Sequence, residues 1–129
     1  MQKEKIIKTV NSALTHLEHA IGPQAKGNEK KVIQLTWKAS SDIEHALFMF
    51  TLESTQENPK SSWKLPTSKK PEIQSILIFT RDTLKEAEKN LESNDQKEAY
   101  KKTWIVKGQL LRIHDFFDKK ERKARVIVR

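Results

Sequence analysis

Four stretches of the chain carry apolar or small residues at alternating three- and four-residue steps. The first reads Ile7, Val10, Leu14, Leu17, Ile21, and the second Val32, Thr36, Ala39, Ile43, Ala46, Phe50. The third reads Ile73, Leu77, Thr80, Leu84, Ala87, Leu91, and the fourth Ala99, Thr103, Val106, Leu110, Ile113, Phe117. Such spacing lays one stripe along one side of a helix, and the stripe must be buried against other helices. The pattern predicts an all-α fold, a mainly antiparallel four-helix bundle with a long connection between helices 2 and 3.

The punctuation between stripes sets the expected boundaries. Helix 1 is expected from about Lys3 to Ile21, ended by Gly22-Pro23, because proline cannot continue a helix and glycine tolerates a left-handed cap. Asn28 is the candidate N-cap of helix 2, with Glu29 near the positive helix end. Helix 2 is expected from Glu29 to Ser54. Its alternating runs Ile33, Leu35, Trp37, Ala39 and Phe48, Phe50, Leu52 each read as strand in isolation. Some 26 residues without glycine or proline favour helix, since strands are far shorter. Thr55–Lys70 is the linker, marked by Pro59, Pro66 and, at its border, Pro71. Trp63 and Leu65 within it are expected to pack back onto the bundle. Helix 3 follows from about Pro71 to Leu91. A tight Ser93-Asn94-Asp95 joint starts helix 4, which should reach about Lys123. Gly108 interrupts that helix at a cost of about 1 kcal/mol against alanine, or marks a close crossing. Arg125–Arg129 reads as a frayed tail or a short extended strand. No internal repeat is evident.

At 129 residues the chain is one domain, residues 1–129, with a basic tail over about 119–129. The absence of cysteine excludes disulfides, thiol nucleophiles and cysteine-ligated metals, and fits a cytoplasmic, intracellular protein. No signal-peptide pattern follows Met1, and Ala46–Leu52, the most apolar segment, is too short to span a bilayer. No membrane partner is expected.

Chemistry is sparse. His16 and His19, and Asp42 and His45, stand three residues apart as candidate metal ligands. With the stripe positions labelled a and d, His16 and His45 fall at c and His19 at f, pointing outward, while His114 lies at a flanking e. No acid occupies a stripe position, so no metal site is expected. Three glycines cannot assemble a phosphate loop, and no Gly-x-Ser-x-Gly elbow exists. Asp115 and Asp118 read as a solvated acidic ridge. No catalytic residue and no cofactor is expected, so an enzyme is the least favoured class.

Two features call for a partner. Large apolar groups lie off the stripe: Leu35, Trp37, Phe48, Met49, Leu52, Ile78, Phe79, Trp104, Ile105, Leu111 and Phe116. Trp37, Phe48, Leu52, Ile78, Phe79, Trp104 and Ile105 fall at b, c or f, away from the seam. Either the linker and tail cover them or they form a second interface. The candidate interface residues are Trp37, Phe48, Phe79 and Trp104. The second feature is charge. The chain carries +8, of which residues 101–117 hold +3 and 118–129 hold +4. Lys101, Lys102, Lys107, Arg112, Lys119, Lys120, Arg122, Lys123 and Arg125 are the candidate polyanion contacts, with Trp104 among them for base stacking. The expected function is therefore a non-catalytic interaction or assembly module that self-associates or docks into a larger complex. The alternative is a nucleic-acid-binding accessory protein using helix 4 and the tail.

Overall fold

The computed structural model describes residues 2–53 and 72–128. They form four α-helices: α1 (Gln2–Ala25), α2 (Glu29–Glu53), α3 (Ile73–Glu92) and α4 (Gln96–Val128). Close packing joins α1 to α2, α3 to α4, α1 to α3 and α2 to α4, with α1/α4 and α2/α3 on the diagonals of the bundle. The ambiguous α2 segment is helical throughout. The expected linker, with Trp63 and Leu65, lies outside the described residues, as does Pro71.

The stripes form the core. Val10, Leu17, Val32, Ala39, Ile43, Leu77, Leu84, Val106, Leu110 and Ile113 are all fully buried. The three threonines of the stripes are equally buried. Each donates its hydroxyl to a carbonyl of its own helix: Thr36 to Ile33, Thr80 to Ile76 and Thr103 to Ala99, at 2.6–3.0 Å. A satisfied hydroxyl removes the cost of burying a polar group. In α1 the phase differs from expectation. Ile6, Ala13 and Ala20 are buried, while Ile7 and Ile21 are only half-buried at the margin. Leu35 and Met49, expected off the seam, are buried as well.

Both short turns use the same device, and the first corrects a sequence expectation. Helix α1 does not stop at Gly22-Pro23; it carries Pro23 inside and ends at Ala25, four residues past the expected Ile21. Proline lacks a donor but keeps its acceptor, and the Pro23 carbonyl accepts from Asn28 N at 2.8 Å while Gln24 O accepts from Gly27 N at 3.1 Å. Gly27 sits between them at φ +76°, the left-handed residue that closes a helix end. At the end of α3, Asn90 O accepts from Asp95 N at 2.7 Å and Leu91 O from Asn94 N at 3.1 Å, with Asn94 at φ +64°. The next residue caps the following helix in both cases. Asn28 Oδ1 accepts from Lys31 N, and Asp95 Oδ1 from Glu98 N, each at 3.3 Å.

These matching turns expose an internal repeat that the sequence alone does not. Gly27 and Asn94 stand 94 − 27 = 67 residues apart. The same offset carries Ile6 to Ile73, Leu17 to Leu84 and Ala20 to Ala87, from α1 to α3. It carries Thr36 to Thr103, Trp37 to Trp104, Ile43 to Leu110 and Phe50 to Phe117, from α2 to α4. Apart from the two tryptophans, every residue in those pairs is buried. The contacts are reciprocal in the manner of a two-fold interface. Phe50 of α2 meets Tyr100 of α4 with ring centroids 5.5 Å apart, and their counterparts Phe117 and Ile33 line one cleft. The bundle is thus two like hairpins, α1–α2 and α3–α4, packed about an approximate two-fold axis.

The α2–α4 contacts run in opposite numerical order: Glu29 with Lys120, Trp37 with His114, Glu44 with Lys107, Phe50 with Tyr100. The end of α2 therefore lies beside the start of α4. Helix α3 begins one helix length away, about 30 Å. The end of α2 and the start of α3 thus stand at opposite ends of the bundle, which accounts for the number of residues between them. Helix α4 continues to Val128, so the expected tail over 125–128 is backbone of α4.

A candidate docking face on α2 and α4

Among the described residues, six large apolar side chains remain exposed on the folded bundle. Trp37, Phe48, Leu52 and Leu111 are 60%, 59%, 59% and 54% exposed, against 37% and 40% for Ile78 and Phe79. The four most exposed belong to α2 and α4. On α2, Trp37 and Phe48 are separated by eleven residues, close to three full turns, so they share one outward line that Leu52 extends. On α4, Leu111 and half-buried Trp104 stand seven residues apart on the side next to α2. Numerical register sets Leu111 near Ser41 and Trp104 near Phe48. The face spans about 22 Å from Trp37 to Leu52 at 1.5 Å per residue.

The expected interface residues thus divide. Trp37, Phe48 and Trp104 share the α2–α4 face. Phe79 lies on α3, which does not pack against α2, and belongs to another surface. Leu111, one heptad beyond Trp104 and so at the same position relative to the stripe, was not among the expected interface residues but is a main component of the exposed face.

At one end of the face Trp37 lies flat on His114, ring centroids 4.2 Å apart and planes 13° from parallel. With Ile33, Phe117, Asp118 and Glu121 they line an open cleft of about 170 Å³. Burial holds the His114 pKa below the usual histidine value, opposed by a hydrogen bond with the Thr36 backbone. His114 Nε2 is buried without a hydrogen-bond partner. Its flanking stripe position was legible in the sequence; its indole partner was not, because that depends on how α2 and α4 are staggered.

The candidate polyanion contacts do not form one continuous ridge. Lys107 reaches across to Glu44 of α2 at 3.3 Å, while Lys102 donates to Asn90 of α3 at 2.8 Å, so the two point to opposite sides. Lys119 pairs with Asp115 and Arg122 with Asp118, each at 3.0 Å. Lys120 pairs with Glu29, and Arg112 donates to Gln109 Oε1 at 3.0 Å. Only Lys101 of the seven described has no polar partner. The side chains of Lys123 and Arg125 lie outside the described residues.

His16, expected to point outward, is half-buried, and its Nδ1 meets Asp42 Oδ2 at 3.2 Å across α1 and α2. Among the described residues no three histidines or acids gather as a metal-binding group, and no helix is long and apolar enough to cross a membrane. No family model, no curated protein and no solved structure matches the chain.

Proposed function

We propose that this chain is a non-catalytic helical interaction module that docks through the outward face of α2 and α4. One observation carries the proposal: Trp37, Phe48, Leu52 and Leu111 are each more than half exposed and share that face. Grouped apolar exposure of this kind on a small domain marks a protein-binding surface, and aromatic residues dominate the energetics of such surfaces. The nucleic-acid alternative has less support. Six of the seven described candidate cations already engage a side chain of the same chain.

The test compares the native chain with a Trp37→Glu/Phe48→Glu variant. Both side chains are exposed, so circular dichroism and urea unfolding should be nearly unchanged. Binding of an apolar dye, and any self-association seen by light scattering behind gel filtration, should fall sharply. Equal dye binding by both proteins would rule the face out.

A further inference from the structure

The two-fold repeat has a functional counterpart on the outward face. Lys30 and Trp37 stand seven residues apart on α2, and their counterparts Lys97 and Trp104 stand seven apart on α4. Each hairpin therefore presents a lysine two turns before an indole, on one side of its helix. Lys30 and Lys97 are both exposed, and neither has a side-chain hydrogen-bond or ion-pair partner among the described residues. Lys38 and Lys101 beside them are likewise unpaired. The acids Glu44, Asp115 and Asp118 near the same face are each neutralised by a lysine or arginine of the chain, and Glu121, at the Trp37 end, is engaged too. An apolar strip is thus bordered by four uncompensated positive charges. At its middle lie two small residues at equivalent positions, Ser41 and Gly108, which leave room for a partner's backbone to approach.

Resting on the docking function above, we infer that the occupant of this face is an acidic amphipathic helix of another protein. Its apolar side would cover Trp37, Leu111, Phe48 and Leu52, and its carboxylates would meet Lys30, Lys38, Lys97 and Lys101. A strip of about 22 Å matches a helix of about 15 to 18 residues. A second copy of the chain fits poorly. It carries the same +8 and would set lysine against lysine where water is excluded. Single-stranded nucleic acid would satisfy the lysines and indoles but would leave Leu52, Phe48 and Leu111 without apolar cover.

The experiment uses the full chain as bait in a display selection from random amphipathic peptides of about 18 residues, at low salt. Enriched peptides should be net acidic, with apolar residues at three- and four-residue steps. Their synthetic versions should bind at least about tenfold more weakly to a Lys30→Glu/Lys97→Glu variant and to a Trp37→Ala/Phe48→Ala variant, both of which keep the native melting curve. Neutral or basic winners, or winners indifferent to the lysine variant, overturn the acidic partner; if they still lose affinity with Trp37→Ala/Phe48→Ala, the docking face itself stands. Winners indifferent to both variants overturn both. An empty selection also overturns the acidic partner. In that case dimerisation lost in Trp37→Glu/Phe48→Glu assigns the face to a second copy, and lysine-dependent retention of a thymidine oligonucleotide assigns it to nucleic acid.

Discussion

Trp37 in the first hairpin stands 60% exposed against the imidazole of His114, whereas its counterpart Trp104 in the second is half-buried and the position matching His114 is Leu47. The same divergence recurs over the outer surface. Phe48 matches Asp115, Leu52 matches Lys119, and Glu44 matches Leu111. Beneath them several pairs stay alike: Leu17 matches Leu84, Ile43 matches Leu110 and Phe50 matches Phe117, and all six are buried. Packing at interior density keeps these positions apolar in both halves. The outer positions carry no such constraint, so their chemistry reflects what the surface meets. The strip is apolar where the first hairpin faces out and more charged where the second does.

The interior half of this comparison yields the largest expected effects. Leu17→Ala and Leu84→Ala should each cost about 2–5 kcal/mol in urea unfolding, and by similar amounts, because both side chains are fully buried at equivalent places. Losses that differ by more than about 2 kcal/mol would show that the two hairpins do not pack alike. The turns come next and should move in opposite directions. Gly27→Ala forces a Cβ into a left-handed backbone with no neighbour within 4 Å, so its cost of about 1 kcal/mol is purely conformational. Asn94→Gly relieves the same strain at φ +64° and should raise the unfolding midpoint slightly.

His114 supplies a smaller, pH-dependent asymmetry. Its folded pKa lies below the unfolded value of 6.5, because burial disfavours the charged ring. The folded state therefore resists protonation. The stability this confers is complete above pH 6.5 and is lost as the pH falls from there through the folded pKa. Replacing His114 by leucine, the residue the first hairpin carries at this place, should flatten that part of the pH profile. An unchanged difference between pH 7.5 and pH 5 would assign the dependence to other groups. The smallest effect is expected at the surface: Trp37→Ala should change unfolding free energy by about 0.5 kcal/mol or less. A larger loss would mean that the indole helps hold the fold rather than serving the outside.

The sequence made the bundle legible because a 3.6-residue period is a local property, readable one helix at a time. All the stripe residues except Ile7 and Ile21 could be assigned to the interior on that basis, with Thr36, Thr80 and Thr103 correctly among them. What escaped depends on relations between helices or on backbone beyond the stripe. The break at Gly22-Pro23 looked terminal because the usefulness of the Pro23 carbonyl to Asn28 appears only once the turn is built. Ile6 beat Ile7 for the interior because α1 packs against both α2 and α3 and its buried side is set by the two together. The 67-residue repeat hid behind few identities; burial is shared far more widely than residue type, as Val10 with Leu77 and Ala46 with Ile113 illustrate. For the candidate site, the apolar excess of α2 and α4 was readable, and Trp37, Phe48 and Trp104 were found that way. Their grouping apart from Phe79, and the union of His16 with Asp42, required the stagger of neighbouring helices.

Joining two like hairpins in one polypeptide changes what each half is free to become. In an assembly of identical separate hairpins, every substitution is duplicated, and dilution pulls the halves apart. Here the halves stay together at any concentration, and a change on one side leaves the other untouched. Histidine opposite one indole and leucine at the matching place is a pairing that strict duplication would forbid, and it gives the molecule a distinguishable top and bottom with which to orient whatever lies along it.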